Sequence, residues 1–475
     1  MVFSSGIFLF IFLPVFLGLY YLIPFKFRSF LILLGSYAFY AWWRIDFLVL
    51  LAAITVVAYG FALQIEKTQD ARVKFRILSF AVVLNLLALA YFKYANFGVA
   101  SFNSLLEKLG VHAVSWTPVI LPIGLSFFIF HAISYLVDIY RREARPTQNI
   151  IDFAAFIALY PHLIAGPVLR YHLLAEQFRA RVHSWDRFSR GATRFMLGFT
   201  KKVLLADTIA PLADAVFLLE HPTFFDAWLG ALAYTMQIFF DFSGYSDMAI
   251  GLALMMGFEF PENFWHPYAS RSITEFWRRW HISLSSWLRE YLYIPLGGNR
   301  YGTARTYFNL TTTMVLGGLW HGANWTFVIW GAWHGGILAL ERYRPQVHFG
   351  IKKRALKGRR APLSSWLTIP GTMILVVIGW VFFRSENMVA ATRVLAGMTG
   401  LNGLGVSDSL SFQITGLEVT ALIAAFVATY AGAWWASRAE NPRVTWGLWL
   451  IPILFIISLS RMLSQSFSPF LYFQF

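Results

Sequence analysis

The 475-residue chain contains no cysteine. Without a thiol there is no disulfide, no thiolate zinc site and no cysteine acyl-thioester intermediate. Charge is also scarce. Only 13% of residues are Asp, Glu, Lys or Arg, against about 25% in soluble proteins. Several motifs are missing as well. There is no P-loop, no G-x-G-x-x-G opening a helix after a strand, no GxSxG elbow and no HExxH. A nucleotide-cradling loop, a serine-elbow hydrolase and a zincin are thereby excluded. The period-2 alternation of a membrane barrel is absent too.

What is present is apolar. The composition is 58% hydrophobic and 18% aromatic, in long runs from end to end. In lipid the backbone must satisfy its own hydrogen bonds, so such runs predict helices. The fold expected is all-α and polytopic. The net charge of +15 sits between apolar runs, where it marks topology by the positive-inside rule. No basic surface domain exists to bind nucleic acid. The first run, 6–23, lacks a basic segment before it. Lys26 and Arg28 follow it instead, which predicts an uncleaved span with the N-terminus outside the cytoplasm.

With about 20 residues per crossing, spans are expected at 6–23, 28–43, 46–65, 77–97 and 118–140, with 98–117 a loop. The segment 150–168 has basic flanks on both sides. Pro161, Gly166 and Pro167 interrupt it, so it reads as re-entrant. Spans follow at 203–220 and 227–258. The second is expected to break at FDFSGYSD, 240–247, where Asp241, Ser243 and Asp247 surround Gly244. These groups are either a site within the membrane or the caps of a broken helix. An amphipathic helix is expected at 274–290, with His281 the one ionisable group on its apolar face. Residues 306–340 have Arg305 before and Arg342 after, so both ends lie on one side. From Arg305 to His321 a helix rises about 24 Å, less than the ~30 Å of a hydrocarbon core. His321 therefore belongs at a turn inside the bilayer. The run 341–361, with eight Lys or Arg, marks the cytoplasm. Further spans are expected at 366–383, 416–436 and 446–463. No repeat and no separable soluble domain is evident, so residues 1–475 read as one membrane-embedded domain with its core at 240–341.

His321, flanked by Gly317, Gly318 and Gly322, is the leading candidate for chemistry. A neutral imidazole accepts a hydroxyl proton near neutral pH. Asn324, three residues on, is placed to orient the ring. His281, His321 and His334 lack carboxylates at i+3 or i+4, which argues against a metal site. From the residues alone, an intramembrane enzyme and a transporter both stand.

FWRRWHISLSSWLREYLYIPLGGNR at 276–300 and GGLWHGANWTFVIWGAWHG at 317–335 resemble the membrane-bound O-acyltransferase family. FYAWWR, YFKYANFG, PHLIAGPVLR, FDFSGYSDMAIGL and WVFFR extend the resemblance along nearly the whole chain, towards the bacterial members that acetylate alginate. The resemblance implies a ring of about 10–12 transmembrane helices with re-entrant segments around a central tunnel. It makes His321 the near-invariant catalytic histidine and His281 its second polar position, with His334 a structural neighbour. Asp247, Asn324, Trp320 and Trp277 are the candidates for supporting roles. It further implies a cytoplasmic thioester donor such as acetyl-CoA, with no permanently bound cofactor and no metal. Membrane lipid, periplasmic acetyltransferase proteins and an exported polysaccharide are the implied partners, and the bacterial inner membrane the location. Arg278, Arg279, Arg289 and the basic residues 352–360 would attract coenzyme A, unless they serve topology alone. Cellulose or another glycan in place of alginate, a transporter, and a non-catalytic scaffold are the rival readings.

Overall fold

Apolar runs in this chain become helices because lipid offers the backbone no partners. A computed structural model describes residues 1–343, 368–438 and 449–464. Among them are helices and no strand. Asp46–Lys67, Ala71–Lys108, Phe224–Met255 and Gly416–Ala436 are long and apolar enough to cross a membrane, and Phe8–Leu22, Thr368–Arg384, Met388–Met398 and Leu450–Ser464 are shorter apolar helices. Phe10, Leu22, Val49, Phe80, Leu87, Ile423 and Val427 are all more than half exposed. Aqueous solvent would penalise so much bare apolar surface, whereas acyl chains match it. The basic residues of 344–361 and the aromatic C-terminus lie outside the described residues.

The chain divides into two compact units. One comprises Met1–Phe199, Gly244–Pro261 and Trp449–Phe475; the other comprises Thr200–Ser243 and Glu262–Leu448. In the first, the segment 150–168 is interrupted as its prolines require. Ile150–Ala158 stops at Leu159, and Tyr160–Leu163 is a single further turn. Every residue from Phe153 to Leu169 is buried, which is the condition for irregular backbone in such a protein. The expected loop at 98–117 is shorter than the sequence suggests. Helix continues through Lys108, because 101–108 holds no proline and its one helix-terminating glycine, Gly110, comes later.

The expected break at 240–247 does not occur. Phe224–Met255 is one helix of 32 residues, about 48 Å long. Gly244 serves packing instead. A Cβ on Gly191 would lie 2.6 Å from Gly251 O, and one on Gly198 would collide with Gly244 O. Two glycine pairs, each spaced by seven residues, thus let the helix Trp185–Thr200 lie directly on the long helix.

In the second unit the expected helix 274–290 is broken. Ile273–Arg279 ends at Trp280, and Ile282–Leu288 starts anew after His281. The amphipathic division survives the break: Phe276, Trp280, His281, Leu284, Trp287 and Leu288 are buried, while Arg278 and Arg289 are exposed. A helical hairpin follows, from Gly302–His321 to Trp325–Tyr343.

Candidate active site

His321 is the last residue of the first hairpin helix. Twenty residues lift it about 30 Å from Gly302. The two helices touch through glycine. A Cβ on Gly318 would strike Phe327 O, one on Gly331 would strike Met314 O, and one on Gly335 would lie 2.9 Å from Thr311 Cα. Gly331 and Gly335 are four apart, the small-residue spacing that brings helices together in lipid. At the turn, Asn324 Oδ1 accepts from Thr326 N–H at 3.1 Å, and its Nδ2 donates to Glu386 O at 2.6 Å. Asn324 therefore caps the second helix. Its amide is engaged there, in place of the expected role on the His321 ring. That ring is 5% exposed. It is held edge-on by Trp320, Trp330 and Phe383, with centroids at 4.9, 5.2 and 5.0 Å.

His281 occupies the break between the two short helices, at φ 43° and ψ 53°. A non-glycine residue there is strained and needs its surroundings to hold it. Asn263 supplies the hold. Its carbonyl accepts Ile282 N–H at 2.9 Å. Its side-chain Oδ1 accepts Ser283 N–H at 3.3 Å and Ser283 Oγ–H at 2.8 Å. The same atom is 3.1 Å from His281 Nδ1. A backbone N–H only donates, so that Asn263 atom is the amide oxygen. His281 must then donate from Nδ1–H, which makes Nε2 the basic nitrogen of a neutral imidazole. The ring is wholly buried, 4.6 Å from Phe242 and 6.1 Å from Trp320. His281 and His321 thus pack against the same indole.

A cavity of about 390 Å³ opens onto His321. Trp277, Trp330, Gly317 and Ser285 line it with Arg278, Arg289 and Arg342. Three guanidinium groups at the wall suit an anionic ligand. Arg279 turns elsewhere: it pairs with Glu275 at 2.6 Å. Gly317 keeps the wall open, since a Cβ there would come within 3.1 Å of Leu288.

His334 is fully buried between Phe276, Trp277 and Trp330, and neither of its ring nitrogens has a hydrogen-bond partner among the described residues. Asp247 belongs to the first unit, where Arg194 Nη2 meets its Oδ1 at 2.7 Å. Asp241 belongs to the second, paired with Lys202 at 3.0 Å. Among the described residues, the group of three potential metal ligands is Asp138, Glu143 and His172. None of the three histidines of 271–341 is in it.

Residues 32–375 match the model of the membrane-bound O-acyltransferase family. The chain belongs to that family. It is similar to the probable alginate O-acetylase AlgI of Azotobacter vinelandii, 50% identical over the whole of both chains. Its likeness to the protein of the same name from Pseudomonas aeruginosa is 54% identity over 90% of this chain and 80% of that one. The peptidoglycan O-acetyltransferase of Helicobacter pylori is 37% identical over 86% of this chain and 81% of its own length. The protein is accordingly a polytopic, multi-pass membrane enzyme, an O-acyltransferase.

For a membrane-bound O-acyltransferase, the site supplies a buried imidazole at the foot of a cation-walled cavity. A second imidazole has its tautomer set by an amide. Sequence reading missed Asn263, Trp330, Phe383 and the cavity role of Arg342. One signal was available: Asn263 is the one amide in the aromatic run FEFPENFWHPY. An amide in such a run will be buried, and a buried amide needs partners.

Proposed function

We propose that this protein transfers acetyl from a cytoplasmic thioester, acetyl-CoA, towards periplasmic acetyltransferase partners that O-acetylate an exported polysaccharide, alginate. It works in the bacterial inner membrane, with its N-terminus on the periplasmic side. The observation that carries this reading is the placing of His321 on a cavity walled by Arg278, Arg289 and Arg342. The guanidinium groups receive the donor's phosphates. His321 takes the proton of the acceptor hydroxyl as its oxygen attacks the thioester carbonyl. The tetrahedral centre collapses, the C–S bond breaks and the thiol leaves with a proton. His281, with Nε2 as its basic nitrogen, positions the donor or assists proton transfer. Trp320 and Trp277 keep the rings in place and Asp247 holds its helix through Arg194.

The likeness to two proteins named for alginate, one of them over the whole of both chains, supports alginate as the polymer. The Helicobacter relative acts on peptidoglycan by its name, which keeps a cell-wall glycan as the second reading. The test is acetyl content of the secreted polymer in cells carrying His321→Ala. Acetylation should vanish while the variant remains folded in the membrane. Wild-type acetylation in that variant would remove His321 from the mechanism. Acetylated peptidoglycan with unacetylated alginate in the wild type would favour the second reading.

A further inference from the structure

Two arginines of the first unit form no ion pair among the described residues. Arg181 is 8% exposed, and none of its Nε, Nη1 and Nη2 atoms has a hydrogen-bond partner among the described residues. Its guanidinium lies over the rings of Phe258, Phe25 and Phe178, at 4.5, 5.1 and 5.6 Å. Arg28 stacks on Phe25 as well, at 5.9 Å, and on Tyr20 at 4.9 Å. Neither arginine forms an ion pair among the described residues. Glu259, next to Phe258 in the chain, is committed to Arg187 at 2.7 Å.

The polar groups beside them are neutral. Tyr20 O–H donates to Met256 O at 2.7 Å, and its oxygen lies 3.0 Å from His183 Nε2. Arg28 Nη1–H points at the same ring, 3.0 Å from Nε2 and 3.3 Å from Nδ1. Stacking on aromatic faces offsets part of the desolvation of a guanidinium but leaves its in-plane N–H groups unmet. Burying a cation with no anion is among the costlier arrangements a fold can hold. Burial and the two neighbouring guanidinium charges also hold His183 below its ordinary value.

Arg28 and His183 are only half-buried, so an anion can reach the cluster from outside. Close to them in the chain, the apolar Leu22, Phe27, Val182 and Trp185 are exposed by 82, 51, 59 and 80%. Phosphate between two arginines, below an apolar rim, is the chemistry of an anionic lipid headgroup at the membrane boundary.

We infer that Arg28, Arg181 and His183 form a binding site for a phosphate group, taken from an anionic phospholipid, separate from the acyl-transfer site. The full-length protein, reconstituted in phosphatidylcholine nanodiscs, provides the test. Phosphatidylglycerol is added in one arm and inorganic phosphate in another, and bound lipid and thermal midpoint are read. The wild type should retain phosphatidylglycerol over phosphatidylcholine and melt higher with it. Arg28→Gln and Arg181→Gln should each lose about fivefold of that preference, the factor expected for one arginine facing an anionic headgroup. If Arg181→Gln does not fold, Arg28→Gln, on the half-exposed edge, carries the test alone. Protection by inorganic phosphate as strong as that by phosphatidylglycerol supports the phosphate site with a soluble source. Protection by the lipid alone supports the lipid. Equal retention of both lipids by the wild type, with no effect of phosphate, overturns the site. So does unchanged preference in Arg28→Gln, which would leave the arginines serving only the carbonyl end of the long helix at Met255 and Met256.

Discussion

Asn263 Oδ1 lies 3.1 Å from His281 Nδ1 while also accepting the N–H of Ser283. The backbone donor identifies the amide oxygen, and the oxygen identifies the tautomer of the histidine. Asn263→Leu removes the acceptor and leaves a shape of similar size. Polymer acetylation should fall about a hundredfold, the lower end of what an oriented acid–base group contributes. Asn263→Asp, which keeps an oxygen acceptor, should restore part of it. A merely packing role for Asn263 predicts the reverse order, with leucine the better replacement.

The cavity arginines predict a split between binding and chemistry. Arg278→Gln, Arg289→Gln and Arg342→Gln should each raise the KM for labelled acetyl-CoA several-fold and leave kcat within about twofold, since they face the donor's charge and not the reacting carbon. The effect should shrink as ionic strength rises and the Debye length falls below about 8 Å. An equal loss in kcat would place the side chain at the reaction itself.

The hairpin that raises His321 depends on bare backbone at its glycines. Gly331→Leu drives a side chain into Met314 O. Overpacking of this kind costs about 1–3 kcal/mol or more. The thermal midpoint of the purified protein should drop, along with its yield from membranes. Gly336→Ala is the control, because nothing stands within 4 Å of a Cβ there. Its midpoint should stay at or slightly above the wild-type value, since alanine suits a helix interior better than glycine.

His183 predicts a pH dependence. Burial, then the charges of Arg28 and Arg181, lowers its proton affinity in the folded protein. Below the ordinary histidine value of about 6.5 the unfolded chain binds the proton and the folded chain resists it. Stability is therefore fully present above that value and declines as the pH falls towards the lowered one. Thermal melts from neutral pH to about 5 should show the decline. His183→Gln should flatten part of it. A decline of the same size in His183→Gln would assign it to other groups.

Much of this protein was legible in one dimension. Long apolar runs with basic punctuation determine a polytopic helical protein, because hydrocarbon leaves no other way to satisfy the backbone. The distance from Arg305 to His321 already predicts a turn there, and the first hairpin helix ends at that histidine. The glycines around it already signal close approach. Other features depend on neighbours distant in sequence. Gly244 reads as a helix break in FDFSGYSD, yet it lies inside one continuous helix, where its carbonyl leaves room only for the bare Gly198 of another helix. Asn324 is spaced to reach His321 by helical geometry, but the chain turns there and Glu386, 62 residues on, takes its amide. The break at Trp280–His281 is invisible to a periodicity that continues through it. It exists because Asn263 takes the His281 ring and the N–H groups of Ile282 and Ser283 after it, while Trp265 N–H donates to Arg279 O before it. Composition and spacing decide which segments enter lipid and which residues are costly there. Only tertiary contact decides which partner meets each buried polar atom, and so which nitrogen of His281 remains basic.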